Sequence, residues 1–435
     1  MSGSKIKRKD RDAIIQSLRA GVTPRRGQRH LQVGRGDELK ALIGDMENVG
    51  AGGSTIRFII GEYGSGKTFF LNLVRTIAME KKMVAAHADL SPDRRLHATG
   101  GQARSLYREI MFNLSTRTKP DGGALGAIIE RFISSALAEA REQDTSADAV
   151  IRNRLASLQE MVGGYDFAEV VAAYWRGHDQ GDELLKTNAM RWFRGEFSTK
   201  TDARKALGVR TIVDDANFYD TLKLLSRFFV MAGYGGLLLC LDEMVNLYKL
   251  SNSKARKTNY EQILRILNDC LQGNVEGFGI LFGGTPEFLM DPRKGLYSYE
   301  ALQTRLAQNR FASDDLKDYS GPVISLGSLM PEDIFVLLQK IRGVYVLNGQ
   351  EMELIPDEGI TAFLSHCKEK IGDAYFRTPR NTIVSFVNLL AILEQNRDTS
   401  WQDLIGQVNI NVERPSIFEN EEAFDEDDDL ATIQL

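Results

Sequence analysis

The sequence predicts an α/β protein with a parallel-sheet core, a large helical insertion and a C-terminal helical region. Three observations carry this reading. Short, nearly unbroken apolar runs at Thr55–Ile60, Met83–Ala88, Gly235–Leu241 and Gly279–Phe282 alternate with helix-length segments, as strands buried on both faces of a parallel sheet do. The first run leads directly into a glycine-rich turn and then an amphipathic helix. From about 102 to 230 the apolar positions recur almost wholly at helical spacing.

The elements follow in chain order. Residues 1–36 carry ten Lys/Arg against Asp10 and Asp12, a balance of +8. Within them Ile14, Ile15 and Leu18 line one face of a helix expected over Asp10–Ala20, which Gly21 to Gly27 then breaks. Val33-Gly34-Arg35-Gly36 leads into a helix from about Asp37 to Glu47, and Phe69–Lys81 reads as the helix after the first strand. Leu125, Ile128, Ile129, Phe132, Ile133 and Leu137 mark one helix of the insertion; Tyr260, Ile263, Leu264, Leu267 and Leu271 mark another after the third strand. Pro331–Gln395 reads as three or four helices, and disorder is expected from Val412 onward. Residues 419–435 carry eight Asp/Glu and no base, so the formal net charge of −5 hides a basic head and an acidic tail. The expected organisation is a basic N-terminal segment (1–36), a nucleotide-binding core (37–322) with the insertion at about 115–215, a helical region (323–411) and an acidic tail (412–435).

Composition excludes several classes. No run approaches the ~20 apolar residues that span a bilayer. No apolar h-region follows the basic start, so a cytoplasmic location is expected. Cys240, Cys270 and Cys367 are dispersed in apolar contexts and read as buried thiols, and the five histidines show no metal-ligand spacing.

The strongest motif is Gly61-Glu62-Tyr63-Gly64-Ser65-Gly66-Lys67-Thr68, a full match to G-x-x-x-x-G-K-[ST] between a strand and a helix opening near Phe69. Glycines there let successive backbone N–H groups converge on phosphate oxygens, and the following helix presents its positive end to the same anion. Lys67 would reach the β/γ-phosphates of ATP, and the Thr68 hydroxyl would complete a Mg²⁺ shell. The second motif is Leu237-Leu-Leu-Cys-Leu-Asp242-Glu243, an apolar strand ending in two acids. Asp242, expected beside the P-loop strand, would hold the water shell of Mg²⁺, and Glu243 would polarise the attacking water, an arrangement suited to hydrolysis. Thr285 ends the next strand, where a polar side chain would lie between the first two motifs; a plain turn is the other reading. Arg305 and Arg310 follow, then Arg377 and Arg380 at the start of a later helix; each could serve a phosphate or be a solvated surface charge.

This order of motifs resembles an AAA+ ATPase of the origin-recognition/Cdc6-like branch. The resemblance narrows through Leu18-Arg-Ala-Gly-Val-Thr-Pro-Arg-Arg-Gly27, Val33-Gly-Arg, Tyr63-Gly-Ser-Gly-Lys-Thr-Phe-Phe, Ala88-Asp-Leu-Ser-Pro-Asp-Arg-Arg-Leu-His97, Gly233-Tyr-Gly-Gly-Leu and Gly283-Gly-Thr-Pro-Glu-Phe. These are similar to the ATP-binding proteins of BREX bacteriophage-defence systems, the BrxC/BrxD family, of the short BrxD-like kind. The resemblance implies an AAA+ core with a helical lid, Lys67 and Thr68 as Walker A, and Asp242 and Glu243 as Walker B. It further implies Thr285 as sensor 1, Arg305 as an arginine finger acting on a neighbouring subunit, and Arg380, or else Arg377, as sensor 2. Val33, Gly34 and Arg35 would pack near adenine. The stretch between the second strand and Asp242 is longer than a plain core of this kind needs, so an insertion is expected to project from it. No winged-helix module is expected after the lid helices.

Arg94-Arg95 and the acid-free stretch holding Lys249, Lys254, Arg256 and Lys257 are candidate phosphate-backbone contacts or solvated loops. Two functions follow from these readings. One is a homo-oligomeric ATPase acting on DNA with a helicase or methyltransferase partner; the other is a slow ATP-gated switch or scaffold for a protein partner.

Overall fold

The computed structural model describes residues 6–311, 317–345, 354–377, 379–396 and 398–406. The four apolar runs are strands: β1 (Ser54–Ile60), β2 (Val84–Asp89), β3 (Leu237–Asp242) and β4 (Phe278–Gly284). A fifth strand, β5 (Val323–Ser325), is too short to show a periodicity in sequence. It pairs with β1, from Phe58 opposite Val323 to Ile60 opposite Ser325, so residues expected to open the C-terminal helical region complete the sheet instead. All neighbours are parallel and the order is β2-β3-β4-β1-β5.

That order corrects one expectation. The strand ending in Asp242 does not lie beside the P-loop strand, because β4 runs between them. Parallel neighbours need crossover connections, and the chain leaves β3 through Ser253–Leu271 before β4 fills the gap next to β1.

Side chains alternate across the sheet, which explains the unbroken apolar runs. Phe58, Ala86, Leu239 and Phe282 join the core on one face, and Ile59, Ala85, Cys240 and Leu281 that on the other. Helices Gly36–Gly50 and Lys67–Glu80 cover the second face through Leu42, Met46, Leu71 and Val74. The first face is covered by Ser253–Leu271 and by the insertion, whose seven α-helices run from Gln102–Asn113 to Phe218–Met231.

The insertion does not stand off from the sheet. Its helices share one contiguous apolar core with β1 to β4, and Tyr219 meets Phe278 of β4 edge-on at 6.4 Å between ring centroids. The reason lies in Gly164–Gln180, which buries Phe167, Ala168, Val170, Val171, Ala172, Ala173 and Tyr174, so that its central turns are enclosed on nearly every side. Trp192, Phe193 and Phe228 close around Phe167 at 5.2–6.3 Å.

The C-terminal helices Pro331–Tyr345, Asp357–Ile371, Ala374–Arg377, Arg380–Gln395 and Trp401–Ile405 form a second core around Ile334, Leu338, Phe363 and Phe386. The N-terminal helix Arg8–Arg19 is built into it through Ile14 and Leu18. Arg11 locks this joint, bonding Glu394 at 2.7 Å and lying 5.6 Å over the Tyr345 ring. Phe69, on the P-loop helix, packs against both the sheet core and this lid. The three cysteines are buried and free. Among the described residues no helix is long and apolar enough to cross a membrane. The acidic tail lies outside the described residues.

Candidate functional site

The site grows from the end of β1. Gly61 to Gly66 turn sharply, with Gly64 at φ 77° and Gly66 at φ 86°, left-handed values that favour glycine, before Lys67 opens its helix. A Cβ at Gly66 would meet nothing within 4 Å, so the turn is an open cradle of backbone N–H groups. Lys67 Nζ donates to the Gly61 and Glu62 carbonyls at 2.8 Å each, folding the lysine over the loop. Burial lowers its pKa against the opposing pull of Asp242 and Glu243. Ser65 Oγ is buried without a hydrogen-bond partner, Tyr63 is exposed at the loop tip, and the Glu62 carboxylate faces solvent.

Thr68 Oγ1 donates to Asp242 Oδ2 at 2.8 Å, joining the P-loop helix to β3 across the intervening β4. Gly283 of β4 makes this reach feasible. A Cβ there would overlap Asp242 Oδ1 and stand 2.9 Å from Leu71 Cδ1. Asp242 is 2% exposed, and its Oδ1 accepts from the Glu243 backbone N–H at 2.9 Å. Both carboxylate oxygens are therefore committed.

Glu243 leaves the strand at φ 60°, a left-handed conformation uncommon for a residue with a side chain and characteristic of functional turns. Its side chain opens to solvent. Desolvation on its inner side, then Asp242 and Asp89, raise its carboxyl pKa above the usual range, while Lys67 and Lys249 oppose this.

Asp89 is a group the sequence reading missed. Parallel register places it opposite Asp242 at the end of β2, on the same sheet face. His87 Nε2 lies 2.9 Å from Asp89 Oδ1, and that hydrogen bond holds the Asp89 carboxyl below its ordinary value. Only the pairing of β2 with β3 could have signalled it.

Arg35, at φ 55°, donates from Nη2 to the Ser65 carbonyl at 2.8 Å and to the Gly327 carbonyl at 2.9 Å. It thus ties the N-terminal segment to the P-loop and to the chain leaving β5. Gly34 sits against the Asp333 carboxylate of the lid, and Val33 packs on the lid core. Thr285 caps the short helix Pro286–Met290, its Oγ1 accepting from Phe288 N–H at 3.4 Å. Arg305 lies on the exposed face of Glu300–Leu306 and donates to the Ala301 carbonyl at 2.9 Å; Arg310 is exposed beyond it. Arg380 Nε donates to the Gly21 carbonyl at 2.7 Å, bridging lid and N-terminal segment. The Arg377 side chain lies outside the described residues.

A parallel sheet whose β1 passes through this glycine turn into a lysine–threonine helix start, with a buried aspartate facing the threonine, defines a P-loop nucleotide-binding fold. Within that class the chain belongs to the BREX system ATP-binding proteins, BrxC/D, whose family description matches residues 6–409. It is an ATP-binding protein of a phage-defence system. No curated protein matches the chain.

Proposed function

We propose that the protein hydrolyses ATP with Mg²⁺, as an AAA+ enzyme that assembles with copies of itself and acts on DNA alongside helicase or methyltransferase partners. The observation that carries this reading is the Thr68–Asp242 pair with Glu243 turned outward beside it. Lys67, resting on two carbonyls of the same loop, and the Ser65 hydroxyl, buried without a hydrogen-bond partner, are the loop's side-chain groups that would turn to a bound phosphate.

The residues present fit a metal that arrives with the nucleotide. Among the described residues no cluster of three or more His, Cys, Asp or Glu could hold an ion alone, whereas Thr68 and Asp242 supply a hydroxyl and a carboxylate beside the phosphate cradle. When bound there, Mg²⁺ neutralises charge on the β/γ-phosphates. The chain's own share is distinct. The cradle N–H groups and Lys67 hold the phosphates, Glu243 orients the water and takes its proton, and Asp242 positions Thr68. Arg305 would act on a second copy's nucleotide, a reading supported by its exposure on its helix.

Steady-state turnover with binding of an ATP analogue tests the reading. Glu243→Gln should bind the analogue and lose turnover, and Arg305→Ala should abolish any rise of specific activity with protein concentration. Unchanged turnover in Glu243→Gln refutes the assigned base. A slow rate, indifferent to DNA and concentration in the wild type, favours a nucleotide-gated scaffold instead.

A further inference from the structure

The sequence shows two separate basic stretches after β2 and β3; the structure gathers them and adds a third. Asn246 Nδ2 donates to the Leu90 carbonyl at 2.8 Å, holding the loop after β2 against the turn after β3. Asn259, fully buried on Ser253–Leu271, accepts from the Leu96 and His97 N–H groups at 2.9 Å each and donates to the His97 carbonyl at 3.0 Å. Tyr248 donates to Asp291 Oδ2 at 2.8 Å, and Tyr260 to the Lys294 carbonyl at 2.6 Å, which docks the segment after β4. Three connections from the same end of the sheet are thereby fixed into one surface.

That surface carries Lys249, Lys254, Lys257, Arg293 and Lys294, all exposed. Among the described residues none of the five forms an ion pair, in contrast to Arg152, which pairs with Asp148 and Glu169, and Lys223, which pairs with Asp220 and Asp269. Asp291 is committed to Tyr248 and to the Arg293 and Lys294 N–H groups. Asp93, Glu261 and Glu287 are exposed carboxylates on these segments, and Asp89 and Glu243 are exposed where β2 and β3 end.

The helix Ser253–Leu271 has no acid in its first turn and carries Lys254, Arg256 and Lys257 there. Cations at the positive end of a helix dipole destabilise the helix and deepen the local positive potential. Arg256 donates to the Leu250 carbonyl at 2.6 Å, which leaves Lys254 and Lys257 as the exposed cations at this positive end.

We infer that this surface is where the phosphodiester backbone of DNA docks. The inference rests on the proposed action on DNA and names its contact residues. A regular polyanion suits it because the five cations are spread along two connections, after β3 and after β4, an arrangement that sets position without reading sequence. Its location matters too. Lys249 ends the turn Val245–Tyr248 that begins next to Glu243, so bound backbone would lie against the segment carrying the proposed base.

The test is fluorescence anisotropy of a labelled 30-base-pair duplex and a 30-nucleotide single strand with the full chain and a non-hydrolysable ATP analogue, across a salt series. The variants are Lys254→Ala/Lys257→Ala and Arg293→Ala/Lys294→Ala, with Lys200→Ala/Lys205→Ala on the insertion as control. Each cation that neutralises a phosphate contributes about 0.9 to the slope of log K against log salt on duplex and about 0.7 on single strand. Each surface double variant should therefore lose up to roughly 2 slope units on duplex, with analogue binding and the control unaffected. Wild-type binding with undiminished affinity and slope in both surface variants overturns this surface and leaves the action on DNA standing. Failure of the wild type to bind either DNA form overturns both. If the variants lose binding to a peptide of residues 419–435 but keep the DNA slope, the surface receives an acidic protein segment and the inference falls.

Discussion

Replacing Gly283 by alanine probes the joint between the two halves of the ATP site without touching either motif. The added methyl would overlap Asp242 Oδ1, stand 3.1 Å from its Cγ and press on Leu71 Cδ1 at 2.9 Å. Leu71 is fully buried and cannot yield freely, so the carboxylate must retreat by roughly half an ångström or more, as overpacked groups do. Its two partners, Thr68 Oγ1 at 2.8 Å and the Glu243 N–H at 2.9 Å, cannot both follow, because one sits on a helix and the other in a strained turn. Losing one hydrogen bond to a charged group costs about 1.5–3 kcal/mol. At about 1.4 kcal/mol per factor of ten, turnover should fall on the order of 10- to 100-fold. Turnover and analogue affinity are the assays, with Gly44→Ala as control; its Cβ meets nothing within 4 Å on Gly36–Gly50. Wild-type turnover and affinity in Gly283→Ala would show that the Thr68–Asp242 contact is incidental.

Three further outcomes follow from the same geometry. Arg35→Ala removes donors to the Ser65 and Gly327 carbonyls and should weaken ATP-analogue binding about tenfold by calorimetry, about 1.4 kcal/mol; Arg35→Lys should not restore it, since one ammonium lacks the guanidinium fork. Asn259→Leu strands the buried Leu96 N–H and the His97 N–H and should cost about 1–3 kcal/mol in chemical denaturation, with the loop after β2 becoming protease-sensitive first. Glu243→Gln should raise the melting temperature of the nucleotide-free protein in chelator. The folded state binds the Glu243 proton more tightly than the unfolded chain does, so the stability linked to that proton is full below the ordinary glutamate range and lost as pH rises through the raised value. The variant's advantage should therefore be largest near neutrality and close on acidification toward about pH 4; an advantage independent of pH would contradict the assigned shift.

What the sequence makes legible is contiguous. Gly61 to Thr68 and Leu237 to Glu243 each hold strand, turn and functional side chain within one short run, so local chemistry identifies them. Asp89 and Gly283 act through register, one by lying opposite Asp242 and the other by yielding room to it, and register is a property of strand order. With β4 placed correctly between β1 and β3, both become readable. Thr285 and Arg380 show a different limit: their types and positions suit phosphates, while the contacts that tie Thr285 Oγ1 to the Phe288 N–H and Arg380 Nε to the Gly21 carbonyl have no local signal. Nothing local in Gly21-Val-Thr-Pro announces that it will meet a helix hundreds of residues later. Helical periodicity similarly marks the insertion without revealing that the middle of Gly164–Gln180 is enclosed on nearly every side.

The Arg11–Glu394 bond joins residues 383 positions apart, and the lid core is completed only by the first helix of the chain. During synthesis at about 5–20 residues per second, Arg8–Arg19 leaves the ribosome roughly 20–80 s before Arg380–Gln395 exists to receive it. Ile14 and Leu18 spend that interval without their native cover, while the sheet and insertion can already close on themselves. The lid is thus the last part of the molecule to mature, and a nascent or truncated chain would carry a formed P-loop with no lid over it.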